Sequence, residues 1–366
     1  MRIGILTFHR AYNYGAFLQA LALKKYLEKF GHTVHFIDYQ YIAHTRSYDL
    51  IDKNQFQALG FRGKLSLLVK GILKAPRQWK RYSKMRGLQN RYLELKGHPH
   101  TQLEKTEIEN HDLIIYGSDQ IWRKSNVNPN SGFDPAYWGE GFDGIRKITY
   151  AASMGVMELS SEDKEFIKNH LKRFSKISCR EENLVTELSQ LTSEKIHHVI
   201  DPVFLIEKSE WEKILLSYKT THKHKKYVLV YNLMHSEEVD KLAKRIAQER
   251  GLEVFEITGS IQPYTFDTHI LQTEDAFEFL KYIHDAEFVV ASSFHAIAFS
   301  IIFNVNFYAV GLNKNSERVR SLLEIANLRS RLISNASIRN IEDVDFSQIN
   351  LSQEIESSKN YLNSSI

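Results

Sequence analysis

Cysteine is nearly absent from this chain: there is one, Cys179, in 366 residues. That excludes an intrachain disulfide and a cysteine-rich zinc site, and it fits a reducing compartment. Long apolar runs are missing too; none reaches the roughly 18 residues that a membrane-spanning helix requires. The opening stretch, Met1 to Thr7, is strand-like and is broken by His9 and Arg10. It is a poor signal peptide, so cytoplasmic residence is the expectation. The first strand–helix turn lacks a Gly-x-Gly and carries Asn13-Tyr14-Gly15-Ala16 instead, which excludes a dinucleotide fingerprint. No ligand cluster with metal-binding spacing stands out, and neither a metal nor a cofactor is expected. Acidic residues are absent from Phe61 to Leu93, where ten basic residues lie, and from Ala296 to Ser316.

What remains is ordinary globular material, 43% hydrophobic and 25% charged, with a net charge of +4 that argues nothing about nucleic acid. The length suffices for two domains with full cores. Arg2–Thr7, Ala16–Phe30 and Thr33–Asp38 read as a strand, a helix closed by Gly31 and a second strand. Strand-like runs recur at Leu113–Tyr116, Lys147–Ala151, Ile177–Cys179 and His198–Ile200, with helical spans at Ser161–Phe174 and Glu181–Leu191. A second α/β run starts at Tyr227–Asn232 and continues through Glu237–Arg250, Glu253–Thr258, Glu274–His284, Phe288–Ala291 and Phe307–Val310 to Ser316–Ala326. The expected organisation is an N-terminal domain over 1–206 with a basic helical insertion at about 41–105, a linker over 207–226, a second domain over 227–335 and a loosely packed tail over 336–366. Two doubly wound halves imply a cleft between them, the usual place for a ligand. In the insertion Leu65, Leu68, Val69, Ile72 and Leu73 fall at helical spacing. The favoured reading is a solvated insertion whose apolar stripe packs on its own domain. The rival is a basic amphipathic surface in peripheral contact with an anionic membrane face.

The segment Phe288-Val289-Val290-Ala291-Ser292-Ser293-Phe294-His295 is the most informative. It sets Ser293 and His295 at the carboxyl end of a strand and the start of a helix, where ligands bind and anions are favoured. A histidine there can hold or move a proton near neutral pH. Lys314, Arg318 and Arg320 follow the next strand and offer cations to an anionic donor. Tyr116-Gly117-Ser118-Asp119-Gln120-Ile121-Trp122 ends another strand. Asp119 and Trp122 there suit sugar hydroxyls and a sugar face; an Asp helix cap and a core tryptophan are the competing roles. Arg180 ends the strand at Ile177 and could grip a carboxylate or phosphate in bidentate fashion, against a simple surface ion pair. Asp201-Pro202 ends the next strand and fixes the turn.

In order along the chain, Asn13–Ala16, Gly117–Trp122, Tyr150-Ala151-Ala152-Ser153-Met154-Gly155, Arg180-Glu181, Asp201-Pro202-Val203-Phe204-Leu205 and Ser293-Phe294-His295 resemble the polysaccharide pyruvyl transferase family, over residues 3 to about 333. The resemblance implies an α/β fold of two Rossmann-like domains facing a cleft, similar to the two-domain (GT-B type) glycosyltransferases. It implies transfer of pyruvate from phosphoenolpyruvate onto two hydroxyls of a sugar or lipid-linked oligosaccharide, as a cyclic ketal in bacterial cell-surface polysaccharide synthesis. His295 is then the acid/base and Asp119 the residue that orients or deprotonates the acceptor hydroxyl. Asn13, Tyr14, Gly15, Ser118, Gln120, Trp122, Arg180, Ser293, Phe294, Lys314 and Arg318 are the binding candidates. Some relatives carry an arginine where this chain has Ser293, which leaves the anion to Arg180 or Arg318. The rival functions are a nucleotide-sugar glycosyltransferase and a non-catalytic glycan-binding protein on the same fold. The lack of a carboxylate over Ala296–Ser316 weighs against a nucleotide donor, because such sites hold a ribose diol with an acid.

Overall fold

The computed structural model describes residues 1–40, 48–51, 53–95, 97, 100, 103, 110–125, 132–155, 158–218, 226–232, 236–265, 267–311, 317–334 and 340–366. The strands are β1 (Arg2–Leu6), β2 (Thr33–Phe36), β3 (Leu113–Tyr116), β4 (Arg146–Thr149), β5 (Ile177–Cys179), β6 (Ile196–His198), β7 (Tyr227–Asn232), β8 (Glu253–Thr258), β9 (Ile270–Leu271), β10 (Phe288–Ala291), β11 (Asn306–Val310) and β12 (Leu332–Ile333). The α-helices are α1 (Tyr14–Lys29), α2 (Lys53–Ala58), α3 (Phe61–Tyr92), α4 (Ser161–Leu171), α5 (Glu182–Ser189), α6 (Lys208–Ser217), α7 (Glu237–Arg250), α8 (Ala276–Asp285), α9 (Phe294–Phe303), α10 (Glu317–Ile325) and α11 (Ser352–Asn363). The chain divides into two compact units. One holds Met1–His44, Gln89–Glu207 and Asn350–Ile366; the other holds Thr45–Leu88 and Lys208–Ile349.

The first unit is built on a parallel sheet in the order β2-β1-β3-β4. The parallel pair β5-β6 continues it through single bridges, Ile148 to Lys176 and Ala152 to Cys179. Its strand order reverses between β1 and β3, and in doubly wound sheets ligands bind at the carboxyl ends of the strands at that reversal. Helix α1 starts where Asn13 Oδ1 accepts the Ala16 N–H at 3.1 Å, a side-chain N-cap. It is buried nearly all round, as a helix in a domain interior must be apolar on every face.

The second unit has six parallel strands in the order β12-β11-β10-β7-β8-β9. Counted within the unit this is 6-5-4-1-2-3, so the reversal lies between β7 and β10. Val228, Val230, Phe288 and Val290 face α7 residues Val239, Leu242 and Ile246 in its core. Local signals agree with the packing. Asp275 and Glu278 form a reciprocal capping box at α8, and Gly251 in the left-handed conformation ends α7.

The structure departs from the sequence-based boundaries in four places. Thr45–Leu88, including most of the basic helix, groups with the second unit rather than the first. It is bonded to residues of the second unit: Arg77 Nη1 donates to Gln262 O at 3.2 Å, Arg81 Nη1 to Thr258 O at 3.1 Å, and Lys84 pairs with Glu278 at 2.7 Å. The first part of the expected linker is helix α6, held by buried Trp211, Ile214 and Leu215; residues 219–225 lie outside the described set. The tail is not loose. Helix α11 packs on the first unit, where Tyr361 Oη donates to Thr149 O at 2.8 Å and the Ile200 N–H donates to Ser358 Oγ at 2.9 Å. Strand β6 lies two residues earlier than expected, and Asp201 caps the short turn Pro202–Leu205 that follows it. None of the described helices is long and apolar enough to cross a membrane.

His9, just past β1, is buried and carries a testable consequence. Burial drives its pKa from 6.5 down to about 3, with Asp38 pulling it back in part and Arg10 adding to the fall. A histidine with a depressed folded-state pKa is protonated first in the unfolded chain. Its stabilising contribution is complete above the unfolded value and is lost as pH falls from about 6.5 towards 3, by roughly 1.4 kcal/mol per pH unit. Denaturant unfolding should therefore show His9→Phe losing about 2 kcal/mol less than the native chain between about pH 7 and pH 5. Parallel losses in the two proteins would remove His9 as the cause.

Candidate active site

Each unit presents polar residues at its own strand reversal. In the first unit, Thr7 Oγ1 donates to Ser118 O at 2.7 Å, and Gln19 ties both sides by donating to Thr7 Oγ1 at 3.0 Å and accepting the Ser118 N–H at 3.2 Å. The turn after β3 depends on Gly117. Its φ is +114°, and an added Cβ would stand 2.3 Å from the Tyr150 carbonyl oxygen. Asp119 follows with φ +77°, an unusual conformation for a side-chain-bearing residue and one that clusters at functional sites. Its carboxylate accepts the Gln120 N–H at 2.8 Å and is half-exposed. The Gln120 amide lies over Gly155, where a Cβ would approach Nε2 to 2.3 Å.

Behind this edge is a buried ion cluster. Arg180 Nη1 donates to Asp201 Oδ2 at 2.6 Å and Nε to Glu181 Oε1 at 3.3 Å. Ser118 Oγ donates to Asp201 Oδ2 at 3.1 Å, and Ser153 Oγ to Glu181 Oε1 at 2.7 Å. Burial disfavours the guanidinium charge, but Glu181, Asp201 and Asp119 outweigh it and hold Arg180 firmly protonated. Arg180, expected as an anion grip, is engaged through Nε and Nη1 by two carboxylates of its own unit, and it ties three strand ends together. Trp122 is corrected. It is 0% exposed, stacks on Trp138 at 4.6 Å and 14°, and donates from Nε1 to Tyr137 O at 3.1 Å, so no sugar reaches its face. Tyr14 and Gly15 are buried in the first turn of α1, and exposed Asn13 serves as its cap. Among these candidates, Ser118, Asp119 and Gln120 are the ones brought together at the β1/β3 reversal.

In the second unit, Ser293 is the N-cap residue of α9, extended at φ −93° and ψ 131°, and its hydroxyl does not cap the helix. Phe294 and His295 form the first turn, both buried, with their rings edge-on at 5.1 Å. The register pairs Ala291 with Tyr231 and Asn232 with Thr258, so the ends of β10, β7 and β8 lie in one row. Ser292 Oγ donates to Asn232 Oδ1 at 3.4 Å across the reversal. Asn232 is 4% exposed, and its Nδ2 finds no hydrogen-bond partner among the described residues. Buried Arg81, on α3, brings a cation to the same edge through the carbonyls of Thr258 and Gly259, at 3.1 and 3.4 Å. Arg318 stands half-buried in the first turn of α10; Lys314 lies outside the described residues. Sequence reasoning missed Asn232, Ser292 and Arg81. Asn232 ends an apolar strand just as Ser118 and Ser293 follow theirs, and that was its available signal. Among the described residues no group of three or more His, Cys, Asp or Glu could hold a metal ion.

Comparison with curated proteins returns no match. Several solved structures are similar at low identity. The UDP-GlcNAc 2-epimerase of Methanocaldococcus jannaschii has 13% identity over 100% of both chains with a TM-score of 0.49. The UDP-GlcNAc 2-epimerase of Neisseria meningitidis has 8% identity over 99% of this chain and 92% of that one, with a TM-score of 0.46. The glycosyltransferase SnogD of Streptomyces nogalater has 9% identity over 100% of both, with a TM-score of 0.40. At sequence level, the model of the family described as polysaccharide pyruvyl transferase matches residues 13–314. That span covers most of the chain, from the start of α1 to beyond β11, and the chain belongs to the polysaccharide pyruvyl transferase family.

Proposed function

We propose that this transferase uses phosphoenolpyruvate as donor and forms a cyclic pyruvate ketal on two hydroxyls of a sugar. The observation that carries the reading is the β7/β10 reversal of the second unit. There Ser292, just ahead of α9, bonds the buried amide of Asn232, and the first turn of α9 carries His295; these supply donors for an anion and a group that can move a proton. In the reaction His295 gives a proton to the methylene carbon of the donor, leaving positive charge on the adjacent carbon. A sugar hydroxyl adds there and loses its proton. Phosphate then departs with the former ester bond, and a second hydroxyl closes the ring and loses its proton. One of the two released protons restores His295 and the other leaves with phosphate. Asp119 is the acceptor-side base in this scheme. The donor's carboxylate and phosphate fall to Asn232 Nδ2, the first N–H groups of α9, Arg81 and Arg318.

The test is calorimetric and enzymatic. Phosphoenolpyruvate should bind, and phosphate should be released when a suitable sugar acceptor, lipid-linked or free, is added. Asn232→Ala should weaken donor binding roughly 10- to 100-fold, the range for a lost hydrogen bond to a charged group. Tight binding of a nucleotide sugar with none of phosphoenolpyruvate would overturn the donor assignment.

A further inference from the structure

The apolar stripe of α3 does not pack on its own unit. Phe61, Leu65, Leu68, Ile72 and Trp79 lie on one side of the helix, and Phe61, Ile72 and Trp79 are 83%, 71% and 74% exposed. The opposite side is the one that docks. Gln78 Nε2 donates to Tyr48 O at 2.8 Å, Arg81 is buried against the end of β8, and Gly71 lies so close to Ile51 that a Cβ would stand 3.1 Å from its side chain. Seven of the chain's exposed large apolar side chains fall on this one helix, with Val69 and Leu73 completing the set. Singly exposed apolar residues are normal, whereas a contiguous patch marks a docking surface.

The charge pattern selects the occupant. Exposed Arg62 and Lys80 flank the stripe, exposed Arg86 lies in line beyond its end, and no acidic residue occurs from Phe61 to Leu93. A second copy of this chain seated on the stripe would set these cations against one another. An anionic bilayer surface offers both an apolar layer and the opposite charge. From Phe61 to Trp79 the stripe runs about 27 Å at 1.5 Å per residue, enough to lie along the headgroup boundary. Trp79 stands at its end, and tryptophan favours that interface. We infer that α3 is a membrane-surface helix that docks the protein on anionic lipid, in plane and without spanning.

Intrinsic fluorescence can test this directly. Of the four tryptophans, Trp122, Trp138 and Trp211 are fully buried and Trp79 is exposed. Vesicles of phosphatidylcholine containing phosphatidylglycerol, added to the full chain, should shift Trp79 emission to the blue and shield it from acrylamide. Phosphatidylcholine alone should do neither. Binding should fall steeply with salt, because exposed charges are screened within about 8 Å at physiological ionic strength. Ile72→Asp, at an exposed site where folding is indifferent, should weaken binding by roughly tenfold or more, and Arg62→Gln and Lys80→Gln by about fivefold each. Two results would overturn the inference: emission indifferent to anionic vesicles, or Trp79 already shielded without lipid in a dimer seen by sedimentation.

Discussion

Replacing His295 by glutamine should lower turnover by roughly 10²- to 10⁴-fold, the usual contribution of a general acid–base group. Glutamine is the informative replacement because His295 is buried in the first turn of α9 beside Phe294. Alanine would leave a cavity and blend a packing loss with a catalytic one. Glutamine keeps most of the volume and a hydrogen bond but cannot hand a proton to carbon. Donor affinity should fall by less than the turnover does, since the α9 N–H groups and Asn232 remain. Phosphate release and calorimetry on the same preparation separate the two effects. A variant that binds phosphoenolpyruvate normally and still turns over on a verified acceptor would move the acid elsewhere, with Asp119 next. A variant that no longer folds would make His295 a core histidine.

Much of the fold could be read from the chain, and the reason is local. Each strand of the second unit except the short β9 and β12 is a β-branched or aromatic run bounded by helix caps that the sequence spells out, such as Asp275-x-x-Glu278. Ser293 and His295 were legible for the same cause: an apolar run followed by polar residues and then an apolar helix has one arrangement in a doubly wound sheet. Asn232 escaped because residue type alone does not say which strand pairs with which. Its meaning depends on β10, distant in sequence, lying beside β7. Arg180 was ambiguous for a related reason. An arginine at a strand end suits an anion or an ion pair equally, and the choice fell to Asp201 and Glu181, one of them brought in by another strand. Trp122 was decided by Trp138, which follows a turn that periodicity does not describe. The basic helix shows the opposite case. Its composition was plain, but whether its apolar face packed inward or faced solvent depended on Tyr48, Ile51 and the end of β8, which claim the other side.

Asp201→Ala should cost about 3–5 kcal/mol of stability, the usual penalty for removing one member of a buried ion pair. The carboxylate has three tasks within the first unit. It accepts from Arg180 Nη1 at 2.6 Å, it accepts from Ser118 Oγ at 3.1 Å, and its other oxygen accepts the Val203 N–H at 3.2 Å to start the short turn Pro202–Leu205. Alanine removes all three and leaves the Arg180 charge buried with Glu181 Oε1, which Ser153 already shares. Asp201→Asn retains the shape and an oxygen for the turn, so it should cost less than alanine while still losing the charge pair. Urea unfolding of both variants against the native chain measures this. The same series bears on the donor site. If Arg180 is a strut, Asp201→Ala should alter stability strongly and the affinity for phosphoenolpyruvate little, measured where the variant is fully folded. If Arg180 instead served the donor, freeing its fork would change that affinity. The buried geometry at the ends of β3, β5 and β6 favours the first result.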